Sequence, residues 1–95
     1  MSESKFEAKF CKDLKDTYKA MCLKSDKANI TGFPDRTIIM PDGLVIFIEF
    51  KKSKEAAFQP LQELQIKKLR DMGHVVFVCY PDNRDEVWEA IAKWY

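Results

Sequence analysis

Arg36-Thr-Ile-Ile-Met-Pro-Asp-Gly-Leu-Val-Ile-Phe-Ile-Glu-Phe-Lys51 decides how this chain folds. Residues 44–50 are apolar at nearly every position, the pattern of a strand buried on both faces. Residues 36–40 read as a second strand, with Pro41-Asp42-Gly43 between the two. Pro suits the first corner of a type I turn and Gly the left-handed position after it, the usual three-residue hairpin loop. That loop pairs Met40 with Leu44. Further along the ladder it sets Asp35 opposite Glu49, with Cβ atoms about 5 Å apart. A two-residue Asp42-Gly43 loop would shift the register by one and turn Asp35 to the other face. The three-residue loop is preferred because it uses Pro and Gly where each is favoured. Alternation along the strand directs Glu49 and Lys51 to one face.

Two carboxylates that close repel by about 3 kcal/mol at an effective dielectric near 20. A divalent cation with oxygen ligands offsets such repulsion, and a nearby ammonium does so in part. Two acids and a lysine around one hard metal suit phosphodiester hydrolysis. The metal polarises the phosphoryl oxygen, and the lysine orients water or stabilises developing charge.

Outward from this hairpin, a first helix is predicted, running to about Tyr18, with Phe6, Phe10, Cys11, Leu14 and Tyr18 at helical spacing and Ser2 or Ser4 as its cap. Glu7 borders that stripe, with no Lys or Arg four residues later to pair with it on the helix surface. It reads either as a solvated glutamate or as an inward one. Residues 20–25 predict a short strand and residues 26–32 a polar loop. Beyond the hairpin, Pro60 opens a second helix and Gly73 closes it. Leu61, Leu64, Ile66, Leu69 and Met72 are its candidate apolar positions. Gln62 shares a stripe with Ile66 and Leu69 and reads as a capping glutamine or one facing a groove. Residues 74–80 predict a buried strand parallel to its neighbour across the helix. Asp82 or Asn83 then caps a last helix running to Tyr95, with Val87, Trp88, Ile91 and Trp94 facing inward.

The chain has 95 residues, 46% hydrophobic and 33% charged, which predicts one small globular domain over 1–95. No apolar run approaches a membrane span, so no membrane is expected. The opening Met1-Ser-Glu-Ser-Lys5 does not resemble a secretory signal. Cys11, Cys22 and Cys79 are widely spaced, without a Cys-x-x-Cys pair, and read as reduced thiols in a cytoplasmic setting. A formal charge of +1 means that nucleic acid would be held by a local basic patch.

Other chemistry-bearing residues fit less well. Asp42 lies at the hairpin tip, about 16 Å from Glu49 at ~3.3 Å per residue. Asp82 follows a different strand, as a turn or cap. His74 has no second histidine near it in sequence to make a metal site. Lys51, Lys52 and Lys54 also read as an ordinary solvated strand end, which lysine clusters usually are.

Gly32-Phe-Pro-Asp35, a hairpin, Glu49-Phe-Lys51, and a helix opening Gln59-Pro-Leu-Gln62 and closing Leu69-Arg-Asp-Met-Gly73 resemble the virus-type replication-repair nuclease (VRR-NUC) domain of the PD-(D/E)xK nuclease superfamily. The resemblance spans Glu7 to Tyr80. It implies a restriction-endonuclease-like α/β core, a mixed central sheet flanked by helices. By position it makes Asp35 and Glu49 metal ligands, with the backbone carbonyl of Phe50 completing the site. Lys51 becomes the catalytic lysine, Gln62 the family's helix glutamine, and Glu7 its first-helix glutamate, reaching the metal through water. Lys24, Lys27, Arg36, Lys52 and Lys54 are the basic residues expected against DNA. The family commonly has a small or hydroxyl residue where Gln59 stands. The implied activity is Mg²⁺- or Mn²⁺-dependent DNA endonuclease, on branched DNA such as a four-way junction, in a bacterial or phage-infected cell. A nearly neutral chain with one site is poorly equipped to hold DNA alone, and a junction needs paired cuts, so a homodimer is expected, with Phe58 or apolar residues of the first and last helices at its interface. The alternatives are a catalytically silent DNA-binding or subunit-interface module with the same fold, and a flap or nicking nuclease.

Overall fold

A computed structural model of the chain describes residues 3–26 and 29–95. In order it has helix α1 (Glu3–Tyr18), strands β1 (Met21–Lys24), β2 (Arg36–Ile39) and β3 (Val45–Phe50), helix α2 (Pro60–Asp71), strand β4 (Val75–Cys79), a single 3₁₀ turn (Pro81–Asn83) and helix α3 (Arg84–Ala92). The strands form one mixed sheet in the order β1-β2-β3-β4. The first two pairings are antiparallel, and β3 with β4 is parallel.

β3 lies inside the sheet because its residues are apolar on both faces, and both faces are covered. On one side Ile38, Ile46, Ile48 and Phe50 pack with Phe6, Phe10, Cys11 and Leu14 of α1 and with Val87 and Ile91 of α3. The rings of Phe6 and Phe10 meet that of Phe50 edge-on, at centroid distances of 5.9 and 5.8 Å. On the other side Phe47 and Val76 pack with Ile66 and Leu69 of α2. β4 is an edge strand whose outward carbonyls are occupied. Arg70 Nη2 donates to Val76 O at 2.8 Å and Asn83 Nδ2 to Val78 O at 2.9 Å, which blunts pairing with another strand.

Several expectations are corrected here. Ser4 lies inside α1 and does not cap it, and Ser2 falls outside the described residues. The expected strand over 20–25 is the shorter Met21–Lys24. α2 buries Ile66 and Leu69, whereas Leu61, Leu64 and Met72 are exposed. A helix advances about 100° per residue, so a stripe through 62, 66 and 69 puts 64 on the far side. The last helix begins at Arg84, after the 3₁₀ turn, and ends at Ala92, which leaves Trp94 exposed.

Candidate active site

The hairpin has the expected register. Met40 N–H donates to Leu44 O at 2.9 Å and Gly43 N–H to Met40 O at 3.1 Å, with Gly43 at φ 88°. Arg36 pairs with Ile48, so the next position along the ladder sets Asp35 against Glu49. The two acids brace one another through the backbone. Asp35 N–H donates to Glu49 Oε1 at 3.2 Å, and Phe50 N–H donates to Asp35 Oδ2 at 2.8 Å. The N–H and C=O of a strand residue leave the same edge, so the Phe50 carbonyl is directed toward Asp35. Asp35 is further held from β1. Ser25 N–H donates to Asp35 O at 3.0 Å, and the Ser25 hydroxyl donates to Pro34 O. Nothing in the sequence signalled this brace, because a serine after a short strand has many ordinary uses.

Glu49 is 2% exposed and Lys51 8%. Gln62 joins them from the first turn of α2. Its Nε2 donates to Glu49 Oε2 at 2.9 Å. Its Oε1 accepts from Lys51 Nζ at 2.9 Å and from Gln59 N–H at 3.0 Å. The amide therefore serves the carboxylate, the ammonium and the helix start together. Both readings of Gln62, as a capping residue and as one facing the site, hold at once. Lys51 Nζ also stands 3.7 Å from Glu49 Oε2. The lysine run is thus split, with Lys51 buried while Lys52 and Lys54 are exposed.

Gly32 explains how α2 comes so near. It has φ +83°, and a Cβ there would lie 2.5 Å from Leu61 C, 2.6 Å from Leu61 O and 2.8 Å from Gln62 N. Any side chain would push the loop before Asp35 off the first turn of α2.

Glu7 is neither solvated nor part of the network around Gln62. It pairs with Arg36, Nε to Oε2 at 2.6 Å, and the two side chains are only 12% and 16% exposed. Arg36 shares its face with Ile38, on the α1 side, opposite the face of Glu49. Arg36 is thereby turned inward, whereas Lys24 is exposed at the end of β1. The antiparallel pairing of Lys24 with Arg36 puts it at the same end of the sheet as Asp35. Lys27 falls outside the described residues.

Among the described residues, no group of three or more His, Cys, Asp or Glu side chains gathers as a metal cluster. The oxygen set at this end of the sheet is two carboxylates and a backbone carbonyl. Its chemistry fits a hard cation, because a carboxylate has about four lone-pair positions and an oxygen that accepts an N–H can also act as a ligand.

A search of solved structures finds a VRR_NUC domain similar to this chain over 94% of its length and 97% of the other, with a TM-score of 0.79 and 24% sequence identity. This chain has the VRR_NUC fold. A scan against protein-family models finds no match, and a search of the curated proteins finds none. Within the VRR_NUC fold, Asp35, Glu49, Lys51 and Gln62 gather where β3 ends and α2 begins. Glu7 stands at the same end on the opposite face.

Proposed function

We propose that this chain is a divalent-metal-dependent DNA endonuclease acting on branched DNA. The observation that carries this reading is the burial of Glu49 and Lys51. Among the described residues they are the only buried polar or charged side chains, and Asp35 stands opposite Glu49. Buried ion pairs are often no more stabilising than well-packed apolar residues, so chemistry is the better account of this one. Asp35, Glu49 and the Phe50 carbonyl would hold Mg²⁺ or Mn²⁺. Such a cation supplies Lewis acidity toward the scissile phosphate. Lys51 brings a fixed positive charge to the same face, where negative charge develops on the phosphoryl oxygens. Gln62 keeps Lys51 and Glu49 in one geometry. Exposed Lys24, Lys52 and Lys54 lie at this end of the sheet and would meet the DNA backbone.

A four-way junction has near two-fold symmetry, and paired cuts need two sites, so the active form is a homodimer. The interface would not use Phe58, which packs against the α2 cluster. Spare apolar surface lies instead on β1 and β2, where Met21, Leu23 and Ile39 are 58%, 44% and 37% exposed.

The test is cleavage of four-way junctions, flaps, single strands and linear duplexes with Mn²⁺, with Mg²⁺ and with chelator, beside light scattering at micromolar concentration. The reading requires metal-dependent cutting, a preference for the junction, a dimer, and binding that weakens steeply with salt. No cleavage with either metal, and no rise in melting temperature with Mn²⁺, would establish the catalytically silent module. A monomer that cuts flaps as well as junctions would make it a flap or nicking nuclease.

A further inference from the structure

Lys51 follows the last residue of β3, a place where a lysine ordinarily extends into water. Instead its side chain is 10% exposed. The groups that hold it come from the segment returning to α2. Ala56 N–H donates to Ser53 O at 3.2 Å, a turn that brings residues 56–58 back over the strand end. Lys51 Nζ then donates to Ala57 O at 3.2 Å as well as to Gln62 Oε1 at 2.9 Å. The ring of Phe58 lies beneath it, 4.5 Å from Nζ to centroid. An ammonium has three donors in fixed relation. With two committed to Ala57 and Gln62 and one side closed by an aromatic face, the third is restricted to the side where Glu49 lies.

We propose that Phe58 is a positioning residue for Lys51, its ring fixing where the ammonium points during cleavage. This rests on the nuclease reading above. A purely structural role would need only an apolar group against the α2 cluster, and leucine would fill it. The ring adds a negative face that attracts the cation. Phe58 is half-buried and belongs to a segment with no regular secondary structure, so no periodicity in the sequence marks it.

The test compares Phe58→Leu with Phe58→Tyr, each alone and in a Lys51→Ala background, by junction cleavage with Mn²⁺ and by NMR of the Lys51 Hε protons. Phe58→Leu should lower kcat about tenfold, equivalent to about 1.4 kcal/mol, with KM for DNA and melting temperature nearly unchanged. Phe58→Tyr should retain the rate. In the Lys51→Ala background Phe58→Leu should cost nothing further. Ring-current shifts of the Lys51 protons should persist in Phe58→Tyr and vanish in Phe58→Leu. A wild-type rate in Phe58→Leu would overturn the proposal and leave the nuclease reading intact. So would a raised KM, or a further loss without Lys51, either of which would make Phe58 a DNA-stacking group. A wild-type protein that cuts no DNA would remove the nuclease reading and this role together.

Discussion

Gln62→Glu alters one group without altering volume, and the structure fixes its consequence. The new carboxylate can still accept from Lys51 and from Gln59 N–H. It cannot donate to Glu49 Oε2, which Gln62 Nε2 does at 2.9 Å. The cluster of Asp35, Glu49 and Lys51 would go from one net negative charge to two, around a glutamate 2% exposed. Two charge centres ~4 Å apart repel by about 4 kcal/mol at an effective dielectric near 20, and the lost bond to a charged group adds about 2 kcal/mol. Lys51 offsets part of this, leaving a net loss of about 2–4 kcal/mol with both carboxyls ionised. A proton shared by the pair restores the missing donor, so one carboxyl in the folded variant titrates above its unfolded value. The folded state then holds a proton that the unfolded state has released. Stability is retained at low pH and lost as pH rises through the folded value. Urea denaturation of metal-free protein should show the variant weaker by only about 1 kcal/mol at pH 5 and by about 2–4 kcal/mol at pH 8. A loss of equal size at both pH values would refute the placement of the Gln62 amide against Glu49.

Asp35→Asn or Glu49→Gln should abolish cleavage while circular dichroism shows the protein still folded, with Glu49→Gln the less stable of the two because it leaves buried Lys51 without its carboxylate; cutting at wild-type rate by either would displace the site. Lys51→Ala should lose the cleavage rate while calorimetry shows Mn²⁺ binding largely kept, whereas equal loss of both would make Lys51 a structural partner of the acids. Glu7→Ala leaves Arg36 without its 2.6 Å partner and should lower stability by about 1–2 kcal/mol after allowance for partial exposure; an unchanged denaturation midpoint would mean that the pair contributes nothing. The Cys11 thiol beside Cys22, with Lys15 and Arg36 near, brings Cys22 down to about 7. Contact with Cys22 and burial push Cys11 up, and burial raises Cys79 to about 12. Iodoacetamide should therefore label Cys22 increasingly as pH rises through 7 and spare the other two, and equal labelling of all three would contradict this.

What could be read in advance was what local chemistry decides. The length of the Pro41-Asp42-Gly43 loop set the register, and the register put Asp35 beside Glu49. Period two put Glu49 and Lys51 on one face, and Pro60 and Gly73 bounded α2. Contacts between segments far apart in sequence were out of reach. Glu7 looked unpaired because the only partners visible were four residues away, while its actual partner, Arg36, is 29 positions on. Ser25 on Pro34 and Phe58 on Lys51 are nearer in sequence and were hidden for a different reason, since the loops that bring them together carry no periodicity. Leu61, Leu64 and Met72 misled for another reason. Leucine and methionine form helices well on exposed surfaces too, so their presence on α2 did not reveal which side faces the sheet.

The buried charges also show why the site depends on the loop as much as on the strand. Alternation alone puts Glu49, in β3, and Lys51, just past its end, on one face, yet neither is satisfied by the strand. Glu49 needs the Gln62 amide and the Asp35 N–H, and Lys51 needs Gln62 Oε1 and Ala57 O. Gln62 reaches them only because the first turn of α2 lies against the backbone at Gly32, three residues before Asp35. One close approach therefore seats the loop that carries the first acid and the helix whose amide donates to the second. A glycine at 32 and a glutamine in the first helical turn are two ends of a single contact, and the Asp and the Glu-x-Lys take their geometry from it.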